Sequence, residues 1–252
     1  MTPVVDIHCH AGLGDGLTAP SDTEARLDRY LERADRAGIH RTCVFPVFTS
    51  DYAAANERLA RIVRSCAPRL IGLGAVHSAR DAGRVACIVG RAVEVLGFRG
   101  IKVHGHDAPP GREVCEAARR FGIPLLVDVV RQVGRVEMMA TQYPDVTFVI
   151  PHLGGFADDW SAQGQLVTLM RALPNVYGDT SGVRYFDLLQ RAADQAPAKL
   201  VFGSDGPYLH PGVELYKVRQ LRLADDHRRA VLGGTAARLL GLARTPRPQR
   251  VP

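Results

Sequence analysis

Val4-Val5-Asp6-Ile7-His8-Cys9-His10 sets two imidazoles two positions apart in a run of apolar and β-branched residues that reads as a β-strand. Alternate side chains of an extended chain share a face. Val4, Asp6, His8 and His10 are therefore expected on one face, and Val5, Ile7 and Cys9 on the other. Two neutral imidazoles on neighbouring positions of one face suit a divalent transition ion such as zinc, with carboxylates brought in from elsewhere. Histidine pairs also occur at ordinary strand ends, so the rest of the chain has to decide.

Working outward, short apolar runs alternate with longer amphipathic segments. Strands are expected over 42–48 and 70–76, and at Gly100-Ile-Lys-Val-His104, Pro124-Leu-Leu-Val-Asp128, Thr147-Phe-Val-Ile150, Val176-Tyr-Gly-Asp179 and Lys199-Leu-Val-Phe202. Ser21-Asp-Thr-Glu24 has the form of a capping box. It is expected to lead into a helix through Leu27, Tyr30, Leu31 and Ala34 that stops near Gly38. Further helices are expected over 53–66 and 82–96. Near-continuous apolar strands are covered on both faces, and eight strand–helix repeats in this length predict an α/β fold, the (β/α)8 TIM barrel. The barrel is expected as a single domain over 1–242, followed by a flexible Pro/Arg-rich tail over 243–252. A doubly wound sheet is the alternative, but no glycine-rich phosphate loop follows the first strand.

The formal net charge is +6 across 252 residues, and Arg244, Arg247 and Arg250 of the tail carry half of it. Elsewhere arginines are mixed with acids along helical segments, as in Glu24-Ala-Arg-Leu-Asp-Arg-Tyr-Leu-Glu-Arg33. That pattern describes solvated faces more than a phosphate-binding stripe, and no nucleic-acid partner is expected. The five cysteines form no C-x-x-C pair, which suits free thiols in a reducing compartment. With no basic leader ahead of an apolar segment and no 18-residue apolar run, a cytoplasmic protein without a membrane span is expected.

His8, His10, His77, Lys102, His104, Asp128, His152, Asp179 and Asp205 all fall within or just after the apolar runs. In a barrel these positions converge on one rim, where the active sites of this fold are built. On Asp6-Ile-His8-Cys-His10, Gly100-Ile-Lys-Val-His104, Gly122 to Asp128, Pro144 to Gly155 and Phe202-Gly-Ser-Asp205-Gly-Pro207, the chain resembles the amidohydrolase superfamily. Within it the likeness is to the amidohydrolase-related (amidohydrolase 2) branch of metal-dependent hydrolases and carboxy-lyases, over about residues 4–242. Val231 to Gly241 resembles that branch's terminal helix, with Thr235 where asparagine is usual.

The resemblance implies that His8 and His10 ligate one divalent ion, Zn2+ first, with Mn2+ or Fe2+ as alternatives. It implies that His152 polarises substrate or guides water, and that Asp205 ligates the ion or shuttles a proton. Asp128 stands where the branch usually has histidine, so it is expected as a further metal ligand, as a residue that orients one, or as the mark of a site that has lost metal. Lys102, His104, His77 and Arg184 are expected to bind substrate, giving the mouth a positive bias suited to a small anionic molecule; His106 is a further pocket candidate. Hydrolysis of a small carboxylate, lactone or amide by a metal-activated water is the first functional expectation. Non-oxidative decarboxylation of an aromatic or unsaturated acid is the second, and a catalytically silent ligand-binding barrel the third. Barrels of this kind often associate, so a homo-oligomer is open.

Overall fold

The computed structural model describes residues 3–16 and 23–242. Eight parallel strands form a closed ring: β1 (Val5–Leu13), β2 (Arg41–Pro46), β3 (Leu70–Gly72, continued by Gly74–Ala75), β4 (Ile101–Val103), β5 (Leu125–Val127), β6 (Phe148–Ile150), β7 (Val176–Asp179) and β8 (Leu200–Val201). Each pairs with the next in sequence. The ring shuts where Ile7 N donates to Phe202 O at 3.0 Å and His10 N to Gly206 O at 2.6 Å. This is the TIM barrel expected from the alternation of apolar runs and amphipathic segments.

The helices lie outside: α1 (Asp28–Ala37), α2 (Tyr52–Ser65), α3 (Val85–Gly90), α4 (Arg112–Phe121), α5 (Val133–Gln142), α6 (Trp160–Ala172), α7 (Phe186–Gln195) and α8 (Pro211–Arg219). Helix α1 ends at Gly38, whose φ of 81° is the left-handed conformation that stops a helix at low steric cost. Its start differs from expectation. Ser21 of the supposed capping box lies outside the described residues. Glu24 and Ala25 instead pair antiparallel with Leu13 and Gly12, extending β1, so the helix begins only at Asp28. The tail over 243–252 also lies outside the described residues. No helix among those described is long and apolar enough to cross a membrane.

Two apolar layers follow from the strand period. Val5, Ile7, Cys43, Phe45, Ile71, Leu73, Leu126, Val149, Tyr177 and Val201 fill the barrel, and Ala236 and Leu240 of the C-terminal segment close its floor. Residues such as Val44, Ile101, Val103, Val127, Phe148 and Ile150 point outward under the helices. The first strand breaks the alternation read from sequence. Val5 and Ile7 lie inside the barrel, Val4 and Cys9 lie in the outer layer, and yet His8 and His10 line the interior cavity. The ladder with β2 shifts register between Asp6 and Cys9, and this bulge turns Ile7 and His8 inward in succession. Asp6 is thereby separated from the histidines. Its carboxylate accepts from His8 N (3.0 Å), Ser204 N (2.9 Å), Ser204 Oγ (2.5 Å) and the Tyr30 hydroxyl (2.6 Å). Burial pushes its pKa up to about 6 against those donors.

Candidate metal and substrate site

Strand β1 delivers His8 and His10 to the C-terminal end of the barrel, and the loop after β8 delivers Asp205. His8 Nε2 and His10 Nε2 each lie 3.2 Å from Asp205 Oδ1, and the three side chains offer ligand atoms within 4.8 Å of one another. His8 Nε2 and His10 Nδ1 are buried without a hydrogen-bond partner. Two imidazoles and a carboxylate, each ring keeping one buried nitrogen without a hydrogen-bond partner, make a donor set that fits a divalent transition ion. Burial and Lys102 oppose a charge on His8, but the Asp179 and Asp205 carboxylates outweigh them and push its pKa up to about 9. Burial brings His10 down to about 4 despite Asp205. Asp205 itself is held well below the usual carboxylate range; burial works against its charge, but the hydrogen bonds from His10 and His8 prevail.

Next to this triad stands His152, in the tight turn after β6. Asp179, at the end of β7, is fully buried and joins the two. It meets His8 Nδ1 at 2.7 Å and accepts from His152 N at 3.0 Å, Ser181 N at 3.0 Å and Ser181 Oγ at 2.6 Å. These partners overcome burial and hold its pKa at about 2. His152, Leu153 and Asp205 all have positive φ, between 51° and 57°, a conformation that costs a non-glycine residue about 1–2 kcal/mol. Strain at two cavity residues is maintained by the surrounding hydrogen bonds and marks a functional end of the barrel. Gly203 is needed for close approach, since a Cβ there would meet His8 Cβ at 3.0 Å and Asp179 Cγ at 3.1 Å.

The triad opens into a cavity of about 540 Å³ at the C-terminal rim. Lys102 of β4 is buried in its wall, its Nζ 4.7 Å from the centre of the Phe45 ring. Burial lowers its pKa, with Asp128, Asp179 and Asp205 pulling the other way. His104 lines the same wall; its Nε2 lies 3.0 Å from Pro46 O, and burial takes its pKa well below the usual value. His106 is at the mouth. Phe48, Phe156 and Tyr208 supply aromatic surface, and Arg131 reaches the edge, paired with Asp159 at 2.6 Å.

Asp128 lines the cavity but stands apart from the metal-competent groups, which among the described residues are His8, His10, Asp205 and His8, His152, Asp179. Its Oδ1 accepts from Val130 N at 3.0 Å, and Oδ2 lies 3.8 Å from His106 Nε2. Lys102, with the hydrogen bond from Val130 N, keeps its carboxyl below the usual range against the effect of burial. His77 and Arg184, expected to bind substrate, lie outside the cavity. His77 Nδ1 accepts from Ala79 N and Arg80 N and so caps the turn after β3, while Arg184 is largely exposed and paired with Asp158 at 2.7 Å. Both were read by their place after a strand, which does not fix which way a loop side chain points. Asp179 also ends a strand and was visible as such, but its link to both His8 and His152 required the fold. Phe156 and Tyr208 carried no sequence signal beyond following His152 and Asp205.

The barrel resembles several solved structures. A 2,6-dihydroxybenzoate decarboxylase from Rhizobium superposes with a TM-score of 0.76 at 14% identity, covering 96% of this chain and 99% of that one. A 5-carboxyvanillate decarboxylase from Sphingomonas paucimobilis gives 0.73 at 15%, covering 96% and 99%. A dihydroxybenzoic acid decarboxylase from Polaromonas, solved with manganese and 2-nitroresorcinol, gives 0.74 at 16%, covering 97% and 98%. No curated protein matches the chain. At these identities the likeness speaks for the fold. The sequence itself matches the amidohydrolase family model over residues 5–242, nearly its whole length, and the chain belongs to that family.

Proposed function

We propose that this protein is a metal-dependent, non-oxidative decarboxylase of a small aromatic or unsaturated acid. The carrying observation is the cavity: an aromatic-walled space with a buried lysine in its wall opens directly on the two-histidine, one-carboxylate donor set. The solved decarboxylases with this fold, one of them holding manganese, favour the same reading over hydrolysis, the first expectation from sequence.

His8, His10 and Asp205 would hold one divalent ion, with manganese and zinc both compatible with the donors. When bound, that ion supplies positive charge against which substrate oxygens are oriented. Lys102 adds a second positive charge in a place shielded from water, where it favours an anionic group. Phe48, Phe156 and Tyr208 flank a planar substrate and exclude solvent. Decarboxylation converts a carboxylate and a proton into a C–H bond and CO2: a proton arrives at the carbon bearing the carboxylate, and the C–C bonding pair returns to the substrate. His152 and Asp205 are the cavity groups suited to take up a proton from substrate or solvent and pass it to that carbon.

A hydrolytic reading ranks second, because an ionised Asp205 can also take a proton from water. The test is a panel of hydroxybenzoates and unsaturated acids offered to protein reconstituted separately with Mn2+ and Zn2+, with CO2 and total acid followed together. CO2 release that stops with a chelator and returns with metal is expected. Acid production from esters, lactones or amides without CO2 would favour hydrolysis, and inactivity in metal-loaded protein would favour the silent barrel.

A further inference from the structure

We infer that Asp179, acting with Ser181, is a positioning residue that sets the tautomers of His8 and His152 so that both rings present an unprotonated Nε2 to the cavity. The inference rests on the metal reading above. The Asp179 carboxylate is fully buried at the junction of the two rings. Oδ2 faces His8 Nδ1 at 2.7 Å, and an ionised carboxylate can only accept. When His8 gives up its second proton to hold an ion, the proton it keeps therefore sits on Nδ1, and the lone pair on Nε2, the nitrogen 3.2 Å from Asp205 Oδ1.

Oδ1 accepts from Ser181 Oγ at 2.6 Å, which commits the serine hydrogen. The remaining neighbours of His152 Nδ1 are then both acceptors: Ser181 Oγ and Ser181 O, each at 3.0 Å. His152 Nδ1 must be the donor, and its Nε2 is left as the acceptor. One carboxylate thus acts on both imidazoles, directly for His8 and, together with the Ser181 carbonyl oxygen, through a serine for His152. A third contact, from His152 N to Oδ1 at 3.0 Å, holds the left-handed backbone that aims the ring.

The two oxygens have separate duties, so substitutions can separate them. In Asp179→Asn the amide oxygen is needed by three donors on the Oδ1 side, which leaves the NH2 group facing His8 Nδ1. His8 must then accept at Nδ1 and carry its proton on Nε2, where it blocks the ion. Ser181→Ala leaves Oδ2 facing His8 Nδ1; it removes a 3.3 Å neighbour of that nitrogen and one of the two acceptors of His152 Nδ1, while the Ser181 carbonyl oxygen stays.

Manganese affinity by electron paramagnetic resonance, and histidine tautomers by 15N NMR of zinc-loaded protein with the His152 signal assigned by its loss in His152→Gln, test this. Asp179→Asn should weaken manganese binding by at least about tenfold, while Ser181→Ala stays within about threefold of wild type. His152 should carry its proton on Nδ1 in wild type and keep it there in Ser181→Ala, because the Ser181 carbonyl oxygen still accepts from that nitrogen. Manganese affinity in Asp179→Asn equal to wild type would overturn the inference. If that variant does not fold, the wild-type spectrum decides, since a His152 proton on Nε2 overturns it too. Failure of the metal reading is distinguishable, because wild type itself would then bind no manganese.

Discussion

At the scale of the residue, reach separates the proposed ligands from their neighbours. His8, His10 and Asp205 meet at 3.2 Å, whereas Asp128 spends one oxygen on Val130 N and leaves the other 3.8 Å from His106. His10→Ala is accordingly expected to weaken metal binding by more than the about 10–100-fold typical of losing a hydrogen-bond partner of a ligand. Asp128→Ala should keep wild-type metal affinity and change only the apparent affinity for substrate. Metal titration of the two variants beside wild type checks this, and metal loss in Asp128→Ala would return that carboxylate to the ligand set. Asp205→Asn keeps one oxygen able to ligate but removes the carboxylate proposed to move a proton. Its turnover should fall by about 10²–10⁴, measured at saturating metal.

At the scale of the element, the decisive feature is the bulge in β1, which brings Ile7 and His8 inward in succession and frees Asp6 to staple the barrel seam. Asp6 joins β1 to Ser204 after β8 and to Tyr30 of α1. Asp6→Ala strands several buried donors, each costing about 1–3 kcal/mol when left unpaired. Urea unfolding should show a loss of more than about 3 kcal/mol for alanine on that basis and a smaller one for Asp6→Asn, which keeps one acceptor and can rotate its partners. Equal losses in both variants would mean that the seam does not depend on these hydrogen bonds.

At the scale of the whole molecule, the two ends of the barrel have different duties. Ala236 and Leu240 plug the floor, and the metal-competent residues occupy the opposite rim. Leu240→Ala is expected to destabilise by about 2–5 kcal/mol, with metal affinity unchanged; calorimetry and metal titration on one sample separate the two effects. Metal at about 100 times its Kd should stabilise the fold by about 2.7 kcal/mol, raising Tm by roughly 5–10 °C for a protein of this size. A chelator should reverse that shift.

The barrel was legible because parallel strands buried on both faces must be apolar throughout, so eight such runs stand out from the amphipathic helices between them. That His8, His10, His152 and Asp205 gather at one rim was legible too, because each lies within or just after a strand of the barrel. Other features depended on tertiary structure. Period-two alternation cannot reveal a bulge, so the separation of Asp6 from His8 and His10 appears only in the register between β1 and β2. A polar residue after a strand can turn into the cavity or cap its own loop, which is why Lys102 and His104 line the cavity while His77 and Arg184 do not. The sequence alone determined the barrel and the rim on which its polar residues gather. Packing between elements distant in sequence decided which of them meet, because Asp179 and His8 lie 171 residues apart and only closure of the ring brings them within 2.7 Å.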